Sequence, residues 1–299
     1  MARVVCVHGV GQQREAAETL HAAWAPALCG GVGLAGGQLP EEEVRCAFYG
    51  DLFRPPGRHL AAGDPLIRAE DLDPFERDLL AAWWGEAART DAGVVAPDAR
   101  TLARAPGSVQ GALRALSGSR FFAALGERAL LGDLRQVRDY FRDPEIRCRA
   151  RQRVREAVGD DTRVLVGHSL GSVVAYEALA ENAGWPVTML VTLGSPLGIP
   201  NLIFDRLDPA PRPAGDAGPG PRGRWPGPGR AWVNAADEGD VVALVKDLRG
   251  AFGPEVDGWV VDNGATAHNV KPYLTAAQTG RAIWTGVGSG PWTADGNGD

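Results

Sequence analysis

The residues best suited to chemistry are a serine and the two glycines that flank it. Gly167-His168-Ser169-Leu170-Gly171 is a G-x-S-x-G pentapeptide, preceded by the apolar run Val164-Leu165-Val166 and followed by a helical pattern through Leu179. That is the strand, turn and helix context that a nucleophile elbow requires. Ser169 must sit on a sharp turn for its hydroxyl to project above a sheet, and a side chain at 167 or 171 would crowd that turn. The helix N-terminus behind it favours the negative charge that develops on an attacked carbonyl oxygen.

A serine hydroxyl is a poor nucleophile at neutral pH, so it needs a base held by a carboxylate. Behind an elbow these partners come in the order Asp or Glu, then His. Of the five histidines only His268 lies downstream of Ser169, after the last strand candidate. Asp237, Glu238 and Asp240 follow the strand candidate Ala231–Asn234 and supply the acid. Asp240 is preferred, because the apolar run behind it would anchor it against the core, and Asp237 is the runner-up. Asp240 is also expected to cap a helix over Val241–Leu248. The small-residue turn His8-Gly9-Val10-Gly11 can aim a backbone N–H at an oxyanion, joined by the N–H of Leu170.

The elements that must position these groups alternate along the chain. Arg3–His8, Val44–Tyr49, Arg163–Val166, Val187–Leu193, Arg230–Asn234 and Gly258–Val261 read as strands. Helical patterns separate most of them, the first over Gln13–Leu28 before a glycine-rich stretch, Gly30–Gly37. This alternation predicts an α/β fold with a doubly wound, mostly parallel sheet. The core is expected over residues 1–50 and 144–285, with a helical cap insertion over 51–143, a Pro/Gly-rich surface loop over 208–229 and a flexible tail over 286–299.

Within the insertion, Asp73-Pro74-Phe75-Glu76 is a helix start signal, and Asp143-Pro144-Glu145 resembles it. Glu70, Asp71, Asp73, Glu76 and Asp78 read as one capped, solvated helix start and not as a cation site. Trp83-Trp84 and Phe121-Phe122 offer either a hydrophobic lid over substrate or plain packing. Ser195, at a strand end on the functional edge, is a further substrate-lining candidate. Alternate arginines from Arg147 to Arg155 scatter around their helix and read as solvated surface.

The chain has 299 residues, 44% hydrophobic and 23% charged, with a formal net charge of -6. That balance suits a folded soluble protein and gives no electrostatic case for nucleic acid or an anionic membrane. No signal peptide, transmembrane run or metal-ligand spacing is visible, and the four cysteines read as free thiols in a reducing cytoplasm. No cofactor is called for.

Val-Cys-Val-His-Gly-Val-Gly-Gln-Gln at the start, Val-Gly-His-Ser-Leu-Gly-Ser at the elbow, Thr192-Leu193-Gly194-Ser195-Pro196-Leu197 and Trp232–Val241 together resemble α/β-hydrolase lipases and esterases. The branch they look like is that of GPI inositol-deacylase-like and bacterial lipase-like serine hydrolases. The resemblance spans roughly Met1–Asp51 and Arg163–Trp284 and leaves out the helical insertion. It implies hydrolysis of a carboxylic ester of lipid-like or apolar acyl character, with Ser169, Asp240 and His268 as triad and Val10 and Leu170 as oxyanion donors. The same residues would serve an acyltransferase or thioesterase. A catalytically silent hydrolase fold used for protein interaction is the alternative of a different class.

Overall fold

In strand β1 (Val4–Val7) every residue is buried, with Val4 and Cys6 on one face and Val5 and Val7 on the other. A strand apolar on both faces must be covered on both, which is the environment of a parallel sheet between helix layers. The computed structural model, which describes residues 2–54, 67–97, 106–119, 126–214 and 220–288, has that architecture. After β1 come α1 (Ala17–Leu34), β2 (Val44–Ala47), α2 (Pro74–Thr90), α3 (Pro106–Ser117), α4 (Glu127–Arg142) and α5 (Pro144–Ala157). Then follow β3 (Val164–His168), α6 (Leu170–Glu181), β4 (Met189–Leu193) and the two-residue strands β5 (Arg212–Pro213) and β6 (Pro221–Arg222). β7 (Ala231–Asp237), α7 (Arg249–Phe252), β8 (Val256–Val261), α8 (Val270–Thr275) and α9 (Ala277–Gly288) complete the described chain.

The main sheet has the order β2-β1-β3-β4-β7-β8, and each of its ladders is parallel. The chain builds outward from β1 to β2, returns to the other side of β1 with β3, and then continues in one direction. The connections leaving β1 and β3 therefore part company, and such a switch point opens a crevice at the carboxyl ends of the strands. The His8–Gly11 turn and Ser169 leave the sheet there.

The alternation of side chains divides the core in two. One face, with Val4, Cys6, Val164, Val166, Met189, Val191 and Val233, packs under α1, α8 and α9. The other, with Val5, Val7, Leu165, Leu190 and Trp232, joins α5, α6 and the insertion helices in one apolar body. Asp73 caps α2 by a reciprocal box: its Oδ1 accepts from Glu76 N–H at 2.9 Å, while Glu76 Oε2 accepts from Asp73 N–H at 2.8 Å. Asp143 caps α5 by accepting from Glu145 N–H at 2.8 Å. Among the described residues no helix is long and apolar enough to cross a membrane.

Several expectations need correction. The first helix starts later than predicted and runs through Gly30–Leu34. Gly31 makes that possible by close approach: a Cβ there would lie 2.1 Å from Leu274 O, so α1 packs backbone to backbone against α8. No helix forms over Val241–Leu248. Glu76 is not solvated; it is fully buried and accepts from Arg135 Nε of α4 at 2.8 Å, tying two insertion helices together. The α5 arginines are not mere surface either. Arg147 pairs with the buried carboxylate of Glu177 on α6, and Arg151 reaches Asp208 at 2.7 Å. The Pro/Gly-rich loop carries the short antiparallel pair β5–β6. Gly286 and Val287, assigned to the tail, are buried in α9. Phe121, Phe122 and residues 289–299 lie outside the described residues.

Candidate active site

The turn at Ser169 is built by its neighbours. β3 ends at His168, α6 begins at Leu170, and Ser169 between them takes φ +53° and ψ −130°, a strained conformation for a residue with a side chain. Its N–H donates to Leu193 O at 3.0 Å, which fastens the turn to the end of β4. A Cβ on Gly171 would lie 2.2 Å from Val7 O, and one on Gly167 2.6 Å from Ser172 Cα, so both positions need the bare backbone.

The first turn of the chain passes against this serine. A Cβ on Gly9 would come within 2.6 Å of Ser169 Cβ and 3.2 Å of its Oγ. His8 shapes the turn from inside: Nδ1 donates to Gly9 O at 2.7 Å, and Nε2 accepts from Tyr49 N–H at 3.0 Å. Its ring stacks on Tyr49, with centroids 4.1 Å apart, and the Tyr49 hydroxyl donates to His8 O at 2.6 Å. Burial lowers the His8 pKa to about 4, which keeps the ring neutral for both bonds. Gly11 N–H donates to Gln136 Oε1 of α4 at 3.2 Å, so the insertion also fixes the turn. Val10, next to Gly9, is half-buried, and Leu170, next to Ser169, is buried.

On the same sheet edge His268 Nδ1 lies 2.8 Å from Asp240 Oδ2. The Asp240 carboxylate is fully buried, with Oδ1 accepting from Val242 N–H at 2.9 Å and Ala243 N–H at 3.3 Å, and Oδ2 from the Tyr273 hydroxyl at 2.8 Å. Burial works to raise its pKa, but the His268 charge and hydrogen bond, the Tyr273 hydroxyl and the Lys246 charge outweigh burial and hold it below the ordinary value. An ionised carboxylate only accepts, so Nδ1 of His268 is the donor and Nε2 is the basic nitrogen. Asp237 does not share this role. Its Oδ1 accepts from Gly239 N–H at 2.7 Å and its Oδ2 from Asn263 N–H at 2.5 Å, which shapes two loops.

The two halves meet at the end of β4. His168 Nε2 donates to His268 O at 2.9 Å, with ring centroids 4.7 Å apart, and burial with the nearby His268 lowers the His168 pKa to about 3. Gly194, next to the residue that holds Ser169 N–H, takes φ +53°. A Cβ there would lie 2.6 Å from Asp240 Oδ2 and 3.2 Å from His268 Nδ1. Ser169, His268 and Asp240 thus gather around one strand end, with the backbone of Gly9 against the serine.

The chain matches no family model, no curated protein and no solved structure.

Three sequence-predicted residues fall elsewhere. Trp83 and Trp84 are 3% and 5% exposed, and Trp84 Nε1 donates to Val95 O at 2.8 Å. Both indoles are packed in the apolar body that the insertion helices share with the sheet, which favours the packing reading over the lid. Ser195 is buried with its Oγ accepting from Leu197 N–H at 3.3 Å, so its hydroxyl belongs to a local turn.

Sequence reasoning missed Tyr273, His168, Lys246, Gly194 and Asp133. Asp133, on α4 one turn before Gln136, has Oδ1 3.5 Å from where a Gly11 Cβ would stand. Burial raises its carboxyl to about 7, against the opposing influence of His268. His168 and Gly194 lie in segments the sequence singles out, but nothing local marks the roles of these five, because their partners lie in other elements. A cavity of about 610 Å³ also opens beside the loop that follows β7, lined in part by Arg89, Glu238, Val241, Val260 and Ala267.

Proposed function

We propose that this protein is a serine hydrolase of the α/β-hydrolase class that cleaves a carboxylic ester through an acyl-enzyme. The observation that carries the reading is the strained Ser169, held between a buried parallel strand and a helix N-terminus on the sheet edge that also bears the His268–Asp240 pair. Strain of this kind costs about 1–3 kcal/mol and persists where the surrounding structure enforces it. Here Leu193, Gly9, Gly167 and Gly171 all enforce it.

In the proposed reaction Ser169 Oγ attacks the ester carbonyl carbon while its proton passes to His268 Nε2. Asp240 keeps Nδ1 protonated and stabilises the imidazolium that forms. The N–H groups of Val10 and Leu170 receive the charge on the carbonyl oxygen. Collapse of the tetrahedral species breaks the bond to the alkoxy oxygen, which leaves as the alcohol with the proton from His268. Water, deprotonated by the same imidazole, then attacks the acyl-serine, releases the acid and restores the hydroxyl. The apolar character of the acyl group rests on the lipase-like resemblance of the His8–Gly11, Gly167–Gly171 and Thr192–Leu197 segments.

Turnover of p-nitrophenyl esters of graded chain length tests the reading. Parent protein is expected to release p-nitrophenol in a burst followed by a slower steady rate if deacylation limits turnover, and Ser169→Ala none above background. Equal rates in the two proteins would refute it.

A further inference from the structure

The Ser169 turn is held by its own strand and helix, but the acid loop has no such support. Residues 238–248, between β7 and α7, form neither helix nor strand. A lysine grips Asp240 by its main chain: Lys246 Nζ donates to Asp240 O at 2.5 Å and lies 3.3 Å from Glu86 Oε1. The two side chains are only 14% and 9% exposed. The Lys246 backbone is fixed from inside, because its carbonyl accepts from Asn234 Nδ2 at 2.9 Å, and Asn234 Oδ1 accepts from the Thr192 hydroxyl at 2.8 Å.

Glu86 belongs to α2, and so to the insertion. A covered ammonium and carboxylate have surrendered most of their hydration, a cost that mere attachment of the insertion would not need. An exposed contact already bridges the same two elements, with Arg89 3.4 Å from Glu238. An ammonium is suited to the covered position, since its three donors can serve a carbonyl and a carboxylate together.

We propose that Glu86 and Lys246 form a strap by which the insertion positions Asp240, so that the insertion acts on the chemical step. The inference rests on the ester-hydrolase reading. Both are positioning residues and neither is assigned contact with the reacting atoms. Without Lys246 the Asp240 carbonyl loses its donor, and without Glu86 the ammonium loses its carboxylate partner. Either change frees the 240–242 backbone to shift, and a displacement of about 1 Å can cost up to about a hundredfold in rate.

The charges supply a second signature. The ionisable groups around the His268–Asp240 pair are Asp237 at the end of β7, Glu238 on the acid loop, Tyr273 on α8, His168 at the end of β3, Asp133 on α4, and Glu86, Arg89 and Lys246 at the strap. Removing the lysine charge favours the imidazolium and raises the pH at which His268 loses its proton. Removing the Glu86 charge unmasks the lysine, and also Arg89, whose guanidinium Glu86 accepts from at 2.8 and 2.9 Å, and lowers that pH. The opposite shifts report that both charges reach His268, and the loss of limiting rate reports the positioning.

The test compares the full-length parent with Glu86→Gln, Lys246→Met, the double variant and the rim variant Glu238→Gln. The second-order rate of labelling by a fluorophosphonate is followed against pH, with melting temperatures alongside. Glu86→Gln, which keeps the side chain's shape, and Lys246→Met should each label about tenfold or more slowly. The double variant should be little slower than the slower single, and Glu238→Gln, which removes only an exposed rim charge, should keep the parent's limiting rate. The acid limb should move down for Glu86→Gln and up for Lys246→Met. A labelled parent with single variants that keep its rate, or that slow without moving the limb, would overturn the strap and leave the hydrolase reading standing. An unlabelled parent would overturn the hydrolase reading itself.

Discussion

The Ser169 turn and the acid loop carry the two halves of one proposed site, yet they are built in opposite ways. The turn is encoded within a few residues: a buried strand, Gly167, Ser169, Gly171 and a helix start, with one long-range bond to Leu193. The acid loop is irregular, and its conformation comes from its own Lys246 together with Tyr273, Glu86 and Asn234, which belong to other segments. Local geometry can therefore fix a nucleophile, whereas a buried carboxylate has to be satisfied by whatever the fold brings to it.

Changing the acid is the sharpest way to break this comparison. Asp240→Asn should lower kcat by about 10⁴, because an amide cannot hold His268 in the tautomer that leaves Nε2 basic. Asp237→Asn should instead cost stability, about 1–3 kcal/mol, since its two oxygens satisfy Gly239 and Asn263 N–H and an amide nitrogen can accept neither. Urea unfolding and ester turnover of both variants, side by side, check the assignment. A larger kcat loss for Asp237→Asn would move the acid.

The insertion gives the next largest effect. Trp84 is packed with its indole N–H satisfied, so Trp84→Ala should destabilise by about 3–5 kcal/mol. A marked fall in melting temperature is expected. An unchanged melting temperature with a flattened acyl-chain preference would return Trp84 to the substrate pocket.

Acid sensitivity comes third. His8 and His168 have pKa values of about 4 and 3 in the folded chain, both depressed by burial from the ordinary value of 6.5. The unfolded chain therefore binds more protons once pH falls below about 6.5, and stability is lost from there down through the folded values. Each ring contributes a slope of up to about 1.4 kcal/mol per pH unit. Denaturant titrations at pH 7.5 and 5 should differ accordingly, with a smaller difference in His168→Gln. Equal stability at the two pH values would contradict the buried neutral assignment.

The smallest effect is expected at Asp133. Its ionised form, populated above about 7, favours a protonated His268. Asp133→Asn should shift the acid limb of kcat/KM to lower pH by a fraction of a unit. A shift to higher pH would be inconsistent with that electrostatic link.

The same contrast explains what the sequence made legible. The parallel strands and the Ser169 turn follow from short apolar runs that alternate with helical patterns and from glycines whose neighbours leave no room for Cβ. His268 and Asp240 could be reached by order along the chain, with Asp237 left as a competitor. The helix expected over Val241–Leu248 does not form; Asp240 binds the N–H groups of Val242 and Ala243 in a turn, and Asn234 and Glu86 hold Lys246. No periodicity records such cross-links. The extent of α1 was equally hidden, because glycines read as breakers until Gly31 is seen against Leu274.

The central claim is that Ser169 is the nucleophile, and covalent capture tests it most directly. Parent protein treated with a fluorophosphonate should gain one adduct by intact mass, mapped by peptide sequencing to the segment that contains Ser169, while Ser169→Ala gains none. An unmodified parent, or an adduct that persists in Ser169→Ala, would contradict the account.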